Sequence, residues 1–182
     1  MDWILNNVAV GSWEDAADIE LLRRRKIGAI LNVRGDEDDS MKRKANDRET
    51  EYCALEKLSY LHLPLPDFTT ANDDQLAQGI AFIEANVRLT RKVLVHCGAG
   101  WGRSPSFAAV YLLFCGESTD TDSAVARIQK KRKRCFTDGD DIHIDRIREF
   151  EKRLPDMKTQ IDRLMKTFVN TLRIGMDPCP KE

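Results

Sequence analysis

The fold is decided by residues 93–115, which read VLVHCGAGWGRSPSFAAVYLLFC. The opening VLV is a short apolar run of the kind that forms a buried strand, and the segment from Ser104 to Cys115 is apolar enough for a buried helix. The connecting residues His96–Ser104 therefore form a strand-to-helix turn. At such a turn, backbone N–H groups and the helix dipole both point towards an anion.

The spacing within this turn suits a tetrahedral oxyanion. Five residues separate Cys97 from Arg103, which is enough backbone to curl around such an anion. Three of the five are glycines, which permit positive φ angles and a close approach of the backbone: Gly98, Gly100 and Gly102. Arg103 carries a planar fork that can hold two oxygens, and the same positive field favours the thiolate of Cys97.

The motif His96-Cys97-(five residues)-Arg103-Ser104 resembles the signature loop of the cysteine-dependent protein tyrosine phosphatase superfamily. The chain is most similar to the compact dual-specificity branch, over about residues 1–154, although only the loop is highly specific. The resemblance implies that the thiolate of Cys97 attacks phosphorus and forms a phosphocysteine intermediate. Ser104 can donate a hydrogen bond to the thiolate and help it to leave. The loop residues expected to bind substrate are Gly98, Ala99, Gly100, Trp101, Gly102 and Arg103.

The resemblance also implies an aspartate on a separate loop that protonates the leaving oxygen. The run Tyr60–Pro66 predicts a strand that prolines end, and Asp67 follows it directly in the stretch PDFTTAN. Asp67 stands 30 residues before Cys97 (97 − 67), a spacing similar to that of the family, and is our candidate general acid. The alternative is a simple turn aspartate. Asp73 and Asp74 are rivals, but they are better placed to begin the next helix.

The composition indicates an intracellular globular protein with no metal or cofactor. The 182 residues are 42% hydrophobic and 32% charged with a net charge of −1, which gives no overall attraction to nucleic acid or membranes. No apolar run approaches the length of a membrane span, and the first residues lack a secretory signal pattern. We expect a cytoplasmic protein that binds no nucleic acid.

The five cysteines, at positions 53, 97, 115, 135 and 179, are scattered and odd in number. They argue against a disulfide framework and against a structural zinc site. An accessible thiolate is prone to oxidation, and Cys53 is the candidate partner for a regulatory disulfide with Cys97.

Strands and helices alternate along the chain, which predicts an α/β fold with a mostly parallel central sheet flanked by helices. In chain order we expect a strand or hairpin at 3–10, a helix at about 15–26 ended by Gly28, a strand at 29–33, a loop leading into a helix at 35–57, and helices at 74–87, 123–131 and 144–154.

Pro155 breaks the helical pattern, and apolar residues then recur at helical spacing at Met157, Ile161, Leu164, Phe168 and Leu172. We therefore divide the chain into a catalytic domain at 1–154, an extra amphipathic C-terminal helix at 155–174 and a flexible tail at 175–182. The extra helix either packs on its own domain or mediates self-association through its apolar stripe.

Lys130–Arg134 forms a dense basic run, KKRKR. It can serve as a nuclear-import signal, contact anionic lipid or guide phosphorylated substrates, or it can be the solvated end of a helix. The resemblance implies a structural role for one residue of the run.

The side chains between Cys97 and Arg103 bear on the substrate. They include no lysine, whereas phosphoinositide phosphatases of this superfamily often place lysines there to hold extra phosphates. The pattern favours phosphorylated protein, with phosphotyrosine and phosphoserine or phosphothreonine both accepted. Trp101 either stacks on a substrate ring or packs beneath the loop. The alternatives are a phosphoinositide or RNA 5′-phosphatase, a rhodanese-like enzyme or arsenate reductase, and a silent phosphate-binding module.

Overall fold

The computed structural model describes residues 1–35, 40–137 and 141–174. Five strands in these ranges form one sheet: β1 (Asp2–Trp3), β2 (Val8–Gly11), β3 (Ile27–Asn32), β4 (Ser59–His62) and β5 (Lys92–His96). Their order is β1-β2-β5-β3-β4, and only β1 runs antiparallel to its neighbour. The predicted α/β fold with a mostly parallel sheet is confirmed.

Helices cover both faces of this sheet. They are α1 (Trp13–Ala17), α2 (Ile19–Arg25), α3 (Ser40–Leu55), α4 (Asp73–Arg88), α5 (Arg103–Phe114), α6 (Thr121–Lys131) and α7 (Asp141–Ile174). Residues from α4 to α7 form the larger apolar cluster with one face, and residues from α1 to α3 form the smaller cluster with the other.

The apolar run of β5 is buried on both faces. Val93 and Val95 join the larger cluster, whereas Leu94 joins the smaller one, because successive side chains of a strand point to opposite faces. In the sheet register, His96 lies beside Gly11 of β2 and Asn32 of β3. The carboxyl ends of the parallel strands thus meet at the edge from which the loop 96–104 leaves.

The helix expected at about 15–26 is instead two helices, because Asp18 interrupts it. The Asp18 carboxylate accepts a hydrogen bond from the Leu21 N–H at 2.9 Å and caps α2. The expected C-terminal glycine is also wrong: Lys26 takes the left-handed conformation, with φ of 56°. Gly28 already belongs to β3, where a Cβ would lie 3.2 Å from the Arg91 side chain.

Pro155 does not end a helix, since it lies inside the 34-residue α7. An internal proline costs about 3 kcal/mol of helix stability, but packing on both sides offsets this cost. Phe150 and Ile161 are fully buried, and the Phe168 ring meets Phe82 of α4 edge-on at a centroid distance of 5.6 Å. The extra C-terminal helical segment is therefore present, as a continuation of α7 packed on its own domain. The predicted tail at 175–182 lies outside the described residues.

Candidate active site

The candidate nucleophile lies at the base of a loop between β5 and α5. Cys97 directly follows β5 and is 2% exposed. Ser104, in the first turn of α5, is fully buried, and its hydroxyl donates a hydrogen bond to the Cys97 sulfur at 3.3 Å. The structure thus brings together the thiol and the hydroxyl that the motif suggests. A hydroxyl in this position stabilises a thiolate.

Every backbone carbonyl from Gly98 to Gly102 accepts a hydrogen bond from a donor beyond these five residues. Because the C=O and N–H of a trans peptide point in opposite directions, this arrangement turns the N–H groups towards the interior of the loop and forms an anion cradle. The donors are Trp13 N to Gly98, Arg132 Nη2 to Ala99, Arg132 Nε to Gly100, Phe136 N to Trp101, and Ser106 N and Oγ to Gly102, at 2.8–3.1 Å.

Gly100 is the tightest point of the loop. Its φ is +75°, and a Cβ there would lie 2.4 Å from the Gly11 carbonyl oxygen and 2.8 Å from Nη2 of Arg132. Arg132 also pairs with Asp2 at 2.7 Å. The guanidinium therefore joins the loop to the N-terminal strand. Arg132 is the residue of the basic run that supports the site.

Arg103 links the loop to the segment after β4. One amino group of its buried guanidinium donates to the Leu65 carbonyl oxygen at 2.7 Å, and the other donates to the Asp67 carboxylate. Asp67 consequently lies at the mouth of the cradle, although it follows a different strand. The rivals are engaged elsewhere: Asp73 pairs with Arg146 and Arg153, and Asp74 accepts a bond from Gln160 at 2.9 Å.

The two segments that carry Asp67 and the loop each have an exposed aromatic side chain. Phe68 directly follows Asp67, is 92% exposed and has a φ of +62°, a conformation that costs a bulky residue free energy. Trp101 is 43% exposed, with the guanidinium carbon of Arg134 lying 5.2 Å from its ring centroid. Trp101 is therefore at the surface and does not pack beneath the loop.

Sequence reasoning missed Glu49, which holds His96 of the motif. The buried Nε2 of His96 donates to the Glu49 carboxylate at 2.7 Å, and Nδ1 lies 3.3 Å from the Cys97 carbonyl oxygen. Glu49 belongs to α3, within the segment 35–57 for which the sequence predicts only a loop leading into a helix. The histidine of the motif was the available signal for such a partner, because a buried imidazole needs a hydrogen-bonding group beside it.

His143, in the first turn of α7, was also missed. It is 4% exposed, and its Nδ1 lies 3.3 Å from the Ser106 hydroxyl. Burial, reinforced by the charge of Arg103, lowers the pKa of His143 to about 4. The ring is therefore neutral at neutral pH.

Cys53 is poorly placed for the suggested disulfide. It packs in the smaller cluster with Ile30 and Leu94, whereas Cys97 belongs to the larger cluster. Burial, with a smaller effect of the Glu49 charge, raises the pKa of the Cys53 thiol to about 12. Its position argues against the pairing with Cys97, which stays a prediction.

Residues 1–35, 40–137 and 141–174 contain neither a metal-ligand cluster nor a membrane-spanning helix. No group of three or more His, Cys, Asp or Glu side chains there could hold a metal ion. None of the helices described is both long and apolar enough to cross a membrane.

The family model for the catalytic domain of dual specificity phosphatases matches residues 8–153. Dual specificity protein phosphatase 5 of Homo sapiens is 34% identical over 111 residues, 60% of this chain and 26% of that protein. Dual specificity protein phosphatase 22 of Mus musculus is 30% identical over 114 residues, 62% of this chain and 54% of that protein. The chain thus matches about a quarter and about half, respectively, of these two relatives.

Solved structures share the fold. The crystal structure of PTPMT1 has a TM-score of 0.68 at 19% identity, covering 87% of this chain and 98% of that one. The crystal structure of DUSP15 has a TM-score of 0.68 at 18% identity, covering 88% and 94%. At such identities the likeness concerns the fold alone.

Proposed function

Because the chain belongs to the family of dual specificity phosphatase catalytic domains, we propose that it hydrolyses phosphomonoesters in phosphorylated proteins. The observation that carries the proposal is the anion cradle, a loop that follows the buried Cys97 and whose five carbonyls are all bound by donors outside it. Arg103 adds a cation to the cradle, and Asp67 adds a carboxylate that is bound to that cation. A cradle for an oxyanion with a nucleophile at its base suits phosphoryl transfer through the thiol.

In the first step the phosphate of the substrate enters the cradle, and its oxygens replace Asp67 on the Arg103 guanidinium. The Cys97 thiolate then attacks phosphorus, so that a P–S bond forms while the P–O bond to the alcohol or phenol breaks. Asp67, which leaves its ion pair with Arg103 and takes up a proton from solvent as the phosphate binds, donates that proton to the leaving oxygen. The products are a phosphocysteine and the dephosphorylated protein.

In the second step water attacks the phosphocysteine. Asp67, now ionised, takes a proton from the water as the new P–O bond forms and the P–S bond breaks. The leaving thiolate is stabilised by the hydrogen bond from Ser104, whose hydroxyl lies 3.3 Å from the sulfur. Inorganic phosphate then leaves the cradle, Asp67 releases its proton to solvent, and the Asp67–Arg103 ion pair forms again.

We propose phosphotyrosine and phosphoserine or phosphothreonine as substrates. The loop interior offers backbone N–H groups and Arg103 but no lysine for an additional phosphate, which favours a singly phosphorylated group. The alternative is a phosphoinositide, because PTPMT1 has been crystallised in complex with PI(5)P and has a TM-score of 0.64 to this chain in that structure. An RNA 5′-phosphate and thiosulfate are further alternatives.

Cellular setting and assembly are separate proposals. A thiolate nucleophile needs a reducing compartment, so we propose a cytoplasmic location, with a nuclear one as the alternative through the basic run. Fluorescence imaging of the protein with Lys130, Lys131 and Lys133 replaced by glutamine tests the import role without disturbing Arg132. Self-association through α7 stays a prediction, and sedimentation of the full chain tests it.

The decisive experiment compares rates of phosphate release on a phosphotyrosine peptide, a phosphothreonine peptide, PI(5)P and 5′-triphosphate RNA. We expect the peptides to be the best substrates and Cys97→Ser to abolish release from all of them. A preference for PI(5)P or RNA would overturn the substrate assignment. Sulfur transfer from thiosulfate without any phosphate release would overturn the reaction itself.

A further inference from the structure

We propose that His143 is a positioning residue that acts through Ser106 to fix the Gly102–Arg103 peptide and thereby sets the affinity of the cradle for oxyanions. The inference rests on the proposed phosphatase function, since it concerns the same cradle. It assigns a role to a buried polar side chain that the two catalytic steps do not use.

A directed chain of hydrogen bonds joins α7 to the loop. The Ser106 hydroxyl lies 2.8 Å from the Gly102 carbonyl oxygen and 3.3 Å from Nδ1 of His143. A carbonyl only accepts, and a hydroxyl carries one hydrogen. Ser106 therefore donates to Gly102 and accepts from His143, which requires the imidazole tautomer with hydrogen on Nδ1.

The series of hydrogen bonds ends at the Gly102–Arg103 peptide group, where α5 begins. The Gly102 carbonyl accepts two hydrogen bonds, from the Ser106 hydroxyl and from the Ser106 N–H at 3.0 Å. Since the peptide is planar and trans, anchoring this carbonyl aims the Arg103 N–H in the opposite direction, towards the N-terminal end of α5 where an anion binds. A tilt of this peptide would displace both the N–H and the guanidinium of Arg103.

The chemistry of His143 suits this task better than it suits packing. An imidazole at 4% exposure is costly to bury, and an apolar side chain would fill the same space without that cost. Its neutral form also adds no charge behind Arg103, because burial and the Arg103 charge lower the pKa of His143 to about 4. The ring therefore provides a hydrogen-bond donor while leaving Arg103 as the cation of the cradle.

Two amide variants test the geometry. His143→Asn places an N–H near the former Nδ1, whereas the amide of His143→Gln reaches one bond further. We expect His143→Ala and His143→Gln to weaken tungstate binding, measured by calorimetry, about tenfold. His143→Asn should stay within about threefold of wild type. His143→Ala combined with Ser106→Ala should bind no more weakly than Ser106→Ala alone, because both act through one chain.

Ile147→Val is the matched control for a purely structural effect. Ile147 is fully buried one turn further along α7, so its truncation lowers the melting temperature without altering the hydrogen bonds from His143 to Ser106 and Gly102. We expect its tungstate affinity to equal that of wild type. Wild-type tungstate affinity in His143→Ala, or an equal loss of affinity in Ile147→Val and His143→Ala, would mean that His143 contributes only packing.

Calorimetry separates this inference from the proposed function. A wild-type protein that binds tungstate yet releases no phosphate from p-nitrophenyl phosphate would overturn the function, while the variants would still test His143 through affinity. A wild-type protein that binds no tungstate would overturn both. In an active protein, we expect His143→Ala to raise KM more than it lowers kcat.

Discussion

The Asp67 carboxylate accepts a hydrogen bond from the Arg103 guanidinium, so the proposed general acid and the proposed phosphate clamp are ion-paired. Arg103 also donates to the Leu65 carbonyl oxygen at 2.7 Å and thus holds the backbone of the same segment. In the proposed reaction, an incoming phosphate takes the Arg103 amino group that Asp67 occupies. Substrate binding then exchanges one anion for another and leaves Asp67 beside the leaving oxygen.

Asp67→Asn should lower kcat for a phosphotyrosine peptide by about 100- to 1,000-fold, because the N–H groups of the amide are too weakly acidic to protonate the leaving oxygen. KM should stay unchanged or fall, since the amide competes less with phosphate for Arg103. The loss should be smaller for an aryl phosphate with a more acidic phenol, whose departure needs less help. Steady-state kinetics on both substrates measures this difference.

Asp74→Asn is the control for that variant, because Asp74 is a rival aspartate that bonds to Gln160 instead. Its kcat should match that of wild type. If Asp74→Asn lost activity and Asp67→Asn kept it, the general acid would be assigned to the wrong loop.

Arg132→Lys should lower kcat/KM about tenfold, because an ammonium keeps the charge but cannot hold the Ala99 and Gly100 carbonyls together. Lys133→Gln, in the same basic run, should leave kcat/KM unchanged. Kinetics on p-nitrophenyl phosphate separates the two. A loss of kcat/KM in Lys133→Gln with none in Arg132→Lys would mean that the run acts only through its charge.

Gly100→Ala and Gly116→Ala form a matched pair, since both glycines have a φ of +75°. At Gly116 nothing lies within 4 Å of an added Cβ, so we expect only the conformational cost of about 1–2 kcal/mol. At Gly100 the Gly11 carbonyl blocks the Cβ, and the loop must shift. Gly100→Ala should therefore lose most of its kcat/KM while Gly116→Ala keeps it. Urea unfolding and kinetics check both, and an active Gly100→Ala would contradict the loop geometry.

His143 should make the protein less stable in mild acid. Its folded-state pKa of about 4 lies below the ordinary 6.5, so the unfolded chain binds a proton first as the pH falls. This contribution is complete above about pH 6.5 and is lost towards about pH 4. The fall in pH from about 7.5 to about 5 therefore lowers the unfolding free energy by about 2 kcal/mol through His143.

His143→Asn removes this titration, so its unfolding free energy should fall less over the same pH interval. Urea unfolding at the two pH values measures the difference between wild type and variant. An identical pH dependence in the two proteins would mean that His143 is not buried as a neutral ring.

The sheet and the loop were predictable because their signals are local. The apolar triplet before His96 and the apolar helix after Arg103 are adjacent in sequence, and each needs only its own periodicity to be recognised. The placement of Asp67 needed the resemblance, since a Pro-Asp turn has no chemical signature of its own.

Glu49 and His143 could not be predicted because they come from distant segments, and the resemblance indicated a structural role for one residue of the basic run without naming Arg132. Glu49 lies 47 residues before His96, Arg132 lies 32 residues after Gly100, and His143 lies 37 residues after Ser106. Such pairings depend on how the layers pack, which a local pattern does not encode. Pro155 illustrates the same limit, because contacts between α7 and α4 outweigh the local preference of proline.

The most direct test of the proposed reaction is to trap the phosphocysteine. Ser104→Ala removes the hydrogen bond to the Cys97 sulfur and should slow the second step more than the first. After acid quench of Ser104→Ala with a radiolabelled phosphotyrosine peptide, we expect phosphate bound covalently to the peptide that contains Cys97. In Cys97→Ser the label should be absent. Phosphate release by wild type with no label on Cys97 in Ser104→Ala would contradict nucleophilic catalysis by this cysteine.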